Sequence, residues 1–237
     1  MKWVKLLIGL LLTPALVAAI WALGDLTSAG WRVEEWHAPW FWGLLSGFTI
    51  WTIAYITFPR PMWIYVFGHE LTHALAVYLQ GGKVLGFRVA SRGGHVKTDT
   101  INWWITLSPY FVPLYCLIWI ALWMTINFYH PIQGYQWLLY GVVGITWGFH
   151  LTFTVSMIKL GQTDLSSQGY LFSIVIILLI NLLLIELFLT GVMEHHTILR
   201  WIFDLWGHLR FTYCTTAFWI GGMIKWCWLQ TVALCHK

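Results

Sequence analysis

Apolar runs long enough to cross a bilayer recur along the whole 237-residue chain, at 4–23, 40–58, 62–79, 101–128, 136–158, 170–191 and 211–229. A helix needs about 20 such residues to span the hydrocarbon core. Inside it, every backbone polar group must be satisfied internally, so helices are the natural solution. Only 9% of the residues are charged, against about 25% in a soluble domain. The expected fold is therefore an all-α polytopic membrane protein with six to seven transmembrane helices and almost nothing outside the lipid. It forms one integral-membrane domain over 1–237: two N-terminal spans in 4–58, a four-span core in 62–191, and a Trp-rich C-terminal segment, 192–237. Lys225 interrupts the last run, which reads either as a seventh span or as an interfacial amphipathic helix. The 19 tryptophans suit anchoring at the headgroup level.

The N-terminal run follows Lys2 and Lys5 and ends near Ala22-Leu23-Gly24, a small-residue pattern compatible with signal cleavage. Its length, about 20 residues, favours a retained first span. The one sizeable polar insert, 81–100, has β-prone Val84, Phe87 and Val89 among Lys83, Arg88, Arg92 and Lys97. With Gly93-Gly94 as a tight-turn signal, it reads as a β-hairpin over 83–100. Gly43-x-x-x-Gly47 and Gly144-x-x-x-Gly148 have the spacing that permits close helix packing. Cys116, Cys214, Cys227 and Cys235 lack Cys-x-x-Cys spacing and read as membrane-buried thiols. A net charge of +4 is compatible with anionic lipid and, without any basic run, offers nothing to nucleic acid.

Within 63–79 the only formal charge is Glu70, and the only histidines are His69 and His73. An ionised group at the centre of a membrane helix costs ~2.5–3.5 kcal/mol on insertion scales. A shared cation would offset it. Residues i and i+4 lie on one helical face, so both imidazoles can bind one metal, with Glu70 beside them as general base to a bound water. A catalytic zinc takes three protein ligands. The candidates for the third are His150, Asp164 and Glu186. Glu186 lies 22 residues beyond Asp164, about 33 Å along a continuous helix, which fits a snorkelling or helix-end acid near the opposite face. Asp164 sits in the polar break 159–168 that should return to the side bearing the histidines, and it is preferred. Its position equally suits an early-turn acid of the following helix. His150, about 13 Å up the fifth span, remains the alternative.

Gly68-His69-Glu70-Leu71-Thr72-His73-Ala74-Leu75, followed by Gly81-Gly82-Lys83-Val84 and a hairpin turning at Gly93-Gly94, resembles the site-2 protease family of intramembrane zinc metalloproteases. The resemblance covers 63–100 well and Asp164-to-Gly169 more loosely. It implies one Zn2+ per chain on His69, His73 and an aspartate of a later span, here Asp164, with Glu70 activating water. It also implies a membrane-edge hairpin to which an unwound substrate helix adds as a strand. The partners implied are a transmembrane protein substrate and the lipid bilayer. The chain departs from the family's Leu-Asp-Gly in reading Thr163-Asp164-Leu165, and it has no room for a PDZ-type domain. It is thus most similar to the minimal bacterial branch, which implies a bacterial cell membrane. Ser108-Pro109 and Pro113 are expected to kink the fourth span and open backbone groups to a cavity.

In the family the hairpin faces the cytosol. That orientation puts Arg32, Lys83, Arg88, Arg92, Lys97 and Lys159 inside, with Lys2, Lys5, Arg60, Arg200 and Arg210 outside, leaving the sidedness open. Two other functions fit parts of the pattern. A non-proteolytic membrane metal-binding protein or transporter would use the same ligands, although no paired repeat with broken helices is visible. A di-iron oxygenase would need further histidine boxes, and His195-His196 should fall on the far side.

Overall fold

A computed structural model describes residues 2–33, 35–90, 93–132 and 134–235, without the side chains of Glu35 and of residues 227–235. Arg92 and Lys237 lie outside these residues, as do the side chains of Cys227 and Cys235. In chain order come α1 (Lys2–Arg32), a short 3-10 turn (Glu35–His37), α2 (Pro39–Thr57) and α3 (Met62–Leu79). The strands β1 (Val84–Ala90) and β2 (Gly93–Thr98) follow. The chain then runs through α4 (Trp103–Phe111), α5 (Leu114–Tyr129), α6 (Gln136–Leu160), α7 (Thr163–Gln168), α8 (Tyr170–Val192) and α9 (Ile198–Cys235). The fold is mostly helical with one small antiparallel hairpin.

Among the described residues, three helices are long and apolar enough to cross a membrane: α1, α6 and α8. The pairs α2–α3 and α4–α5 meet the same test only jointly, bent by 119° and 70°, which brings the number to five at most. The six or seven separate crossings expected are therefore too many. Proline is the reason. Pro59 and Pro61 fill the α2–α3 junction, and Pro113 separates α4 from α5, so each apolar stretch is broken where a backbone donor is missing. The C-terminal α9, with Arg200, Asp204, Arg210 and Lys225 along it, is not among the candidate spans.

Glycine brings α2 and α6 together. A methyl group on Gly47 would lie 2.0 Å from the Gly141 carbonyl oxygen, and one on Gly144 would lie 2.3 Å from that of Leu44. Only bare backbone fits, which is how small residues let helices associate where lipid supplies no hydrophobic drive. Polar pairs join the same seam, with Trp51 Nε1 donating to Thr152 Oγ1 at 2.9 Å and the Tyr55 and Ser156 hydroxyls bonded to each other.

The hairpin pairs Val84 with Thr98 and Ala90 with Gly93, with a bulge between Val84 and Gly86. Gly93 and Gly94 are thus the first residues of β2 rather than the turn itself. Close approach, not reversal, calls for glycine at 94: a methyl there would lie 2.5 Å from Glu70 Cγ. The buried core is formed by Leu107, Tyr110 and Phe111 of α4, Phe153 and Met157 of α6, Leu165 of α7 and Phe172, Ile176 and Ile177 of α8. One of its members, Tyr110, bonds to Asp164. Lys5 Nζ donates to Gln168 Oε1, so the start of α1 is tied to the end of α7.

Candidate metal centre

His69 and His73 project from one face of α3, one turn apart. The distance between their Nε2 atoms is 3.2 Å. Asp164 Oδ2 lies 3.4 Å from His69 Nε2 and 3.6 Å from His73 Nε2. A tetrahedral zinc about 2.05 Å from N and O ligands spaces those ligands by roughly 3.3 Å. The three distances bracket that value, so the residues fit one ion without rearrangement. Among the described residues this is the one group of histidine, cysteine and carboxylate atoms close enough to share a metal.

The remaining nitrogens are already engaged. His73 Nδ1 lies 2.8 Å from the Ile105 carbonyl oxygen. That carbonyl has no helical backbone partner, because the residue four positions on is Pro109, which has no N–H; it accepts from Ser108 Oγ at 3.1 Å and keeps a lone pair for the imidazole. A carbonyl only accepts, so Nδ1 carries the proton and Nε2 keeps its lone pair for a ligand. His69 Nδ1 meets the Tyr65 hydroxyl at 3.0 Å, with Tyr65 one turn earlier on the same face. Partners of this kind hold an imidazole in its metal-binding tautomer and orientation.

Asp164 sits in the first turn of α7, so the helix-end position expected of it and the ligand position coincide. Tyr110, fully buried, donates from its hydroxyl to Asp164 Oδ2 at 3.1 Å. Burial alone would raise the Asp164 carboxyl, but the two imidazoles beside it hold it well below the usual carboxylate range. It meets a cation as an anion.

Tyr110 is held in turn by the helix break. Leu114 N–H turns to the Val112 carbonyl at 2.8 Å instead of continuing the α-helical ladder. The Tyr110 carbonyl left over accepts from Asn181 Nδ2 at 2.9 Å and Thr154 Oγ1 at 3.4 Å. Side chains of α6 and α8 thus satisfy backbone that a continuous helix would have satisfied itself.

Glu70 is buried beside the pair and lines two cavities with His69, of about 300 and 220 Å³. Gly94 roofs it, and His95 lines the larger cavity. His150 is not brought to the group. Its Nε2 lies 3.2 Å from Asn181 Oδ1, and it faces His69 only across a small cavity of about 30 Å³. As a buried, hydrogen-bonded residue it supports the Tyr110 clamp. Glu186 is absent from the group as expected, but it is no snorkelling acid: it is 0% exposed, and its Oε2 accepts from Trp201 Nε1 at 2.8 Å. The start of α9 covers it. Cys116 is buried in the protein, and Cys214 is exposed on the surface of α9.

Tyr65, Tyr110, Asn181 and Gln162 were not singled out by the sequence. Tyr65 carries a usable signal, four residues before His69 on the ligand face. The others are placed by tertiary packing and carry none.

Fold and site together define a helical protein with a candidate centre of two imidazoles and one carboxylate, beside a buried glutamate. In comparison with known proteins, no family model matches the chain, and neither does any curated protein or solved structure.

Proposed function

We propose that this protein is an intramembrane zinc endopeptidase of the site-2 protease type, residing in a bacterial cell membrane and cutting transmembrane segments of other membrane proteins. One observation carries the reading: three ligand atoms 3.2–3.6 Å apart with a buried glutamate adjoining them. Structural zinc sites close with a fourth protein ligand, whereas a three-ligand set leaves a position for water.

His69, His73 and Asp164 would hold the ion, which when bound supplies positive charge against the scissile carbonyl and acidifies water. Glu70 takes a proton from the attacking water as the water oxygen bonds to the carbonyl carbon. The same carboxyl then delivers that proton to the nitrogen as the C–N bond breaks. A helical peptide shields its carbonyls, so the substrate must first be extended. Among the described residues no third strand pairs with the hairpin, and β2 residues Gly94, His95, Val96 and Thr98 line the cavity that holds the ligands. A substrate strand adding to β2 would present its backbone there.

The test is Glu70→Gln. Loss of a general base costs typically 10²–10⁴-fold in rate. Cleavage of a reconstituted transmembrane substrate should fall into that range of loss, while metal content stays near one per chain. Cleavage at the wild-type rate refutes the role of Glu70. Metal-dependent transport that survives the change, in a protein without peptidase activity, would instead favour a carrier.

A further inference from the structure

Two cavities meet at Glu70, and the partition between them is thin. His69, Glu70, Gly94 and Gln162 line both. Gly94 contributes backbone alone, pressed so close to Glu70 that a methyl group would overlap it. The larger cavity, about 300 Å³, mixes polar and apolar walls, among them Thr98, Thr106 and Thr163. The smaller, about 220 Å³, adds Met62, Tyr65, Val66 and Met157, and among the described residues its ionisable groups besides Tyr65 are His69 and Glu70, shared with the other cavity.

An extended chain rises about 3.3 Å per residue and points successive side chains to opposite faces. A peptide bond held between His69 and Glu70 therefore directs its two flanking side chains into different cavities. We infer that the Met62–Tyr65–Val66–Met157 cavity is a specificity pocket for a bulky apolar side chain next to the scissile bond; the inference rests on the peptidase reading. Desolvating a charged side chain there is costly without a partner. Thioethers adapt their shape, so the pocket should accept leucine, methionine or phenylalanine rather than one residue alone. Gln162 Nε2 donates to Met157 Sδ at 3.3 Å. Thioether sulfur is a weak acceptor, which leaves this amide ready to exchange partners when a substrate carbonyl arrives at the divide.

The experiment uses the full chain in phosphatidylethanolamine–phosphatidylglycerol vesicles, with single-span substrates differing only at the two residues flanking the cut. Leu, Phe, Ala, Ser and Asp are placed at each position, and cleavage is mapped by mass spectrometry. At one position Leu and Phe should exceed Ala and Asp by at least about 10-fold in kcat/KM, the discrimination an apolar pocket supplies. Met62→Trp, at a half-buried position, should fill the cavity and shift the preference toward Ala with metal content unchanged. Met157→Ala, which enlarges it, should shift the optimum from Leu toward Phe. Equal rates for Leu and Asp at both positions overturn the pocket alone, as does an unchanged ranking in both variants. A metal-loaded wild type that cleaves none of the set overturns the peptidase reading and the pocket with it.

Discussion

Asp164 and Glu186 are both carboxylates packed among apolar helices, one just before α8 and one sixteen residues into it, roughly 24 Å along the axis. Asp164 faces two imidazoles and a tyrosine hydroxyl around an open cavity. Among the described residues Glu186 has one donor, Trp201, and its Oε1 is buried without a hydrogen-bond partner, as are Thr190 Oγ1 and Trp147 Nε1. Polar groups that converge on a space have room for a ligand. Polar groups sealed under a helix end do not, and they act on stability through whatever partner they keep. The contrast assigns chemistry to one acid and structure to the other.

The largest effect should come from removing the ligand itself. Asp164→Ala should abolish stoichiometric metal binding, read by elemental analysis of purified protein, whereas His150→Ala should keep the metal. A wild-type metal content in Asp164→Ala, or its loss in His150→Ala, would exchange the roles assigned to these residues.

A smaller effect tests how the ligand is held. Tyr110→Phe removes one hydroxyl from a buried side chain and leaves its ring, which meets His69 edge-on at 5.3 Å between centroids. Loss of a partner that orients a metal ligand typically weakens metal affinity 10–100-fold. Competition against a chelator should show that decrease, with thermal stability little changed because the ring still fills the core. Unaltered affinity would mean that Asp164 is positioned by α7 alone.

How much of this was legible in the sequence follows from range. His69, Glu70 and His73 are fixed by helical periodicity and by the cost of charge in lipid, both local properties. Asp164 was reachable by counting crossings, although three of the runs counted, 40–58, 62–79 and 101–128, belong to two bent pairs; the short α7, not a full span, delivers it to the histidines. The hairpin was legible from β-prone residues and glycines, but Gly93-Gly94 looked like a turn because φ freedom and close approach use the same residue. Gly94 is bare because Glu70 lies against it, a contact 24 positions distant in the chain. Tyr110 and Asn181 meet across a proline break. Pro113 announces the break, but no pattern says which side chains will staple it.

The smallest effect lies at the far acid. Trp201→Phe keeps an aromatic ring over Glu186 but withdraws the donor to Oε2. Because Oε1 already lacks a partner, the carboxyl would then be buried with no hydrogen bond in the described structure. A buried group left without its partner costs about 1–3 kcal/mol, which should appear as a lower thermal midpoint. Glu186→Gln leaves an amide oxygen to accept from Trp201 and removes any charge, so it should cost less than Trp201→Phe. Both variants should bind metal as the wild type does, since Glu186 makes no contact with the His69–His73–Asp164 group. If either lost metal at constant fold, measured by circular dichroism and elemental analysis together, α9 would be coupled to the metal end along α8, and the division of labour between the two carboxylates would fail.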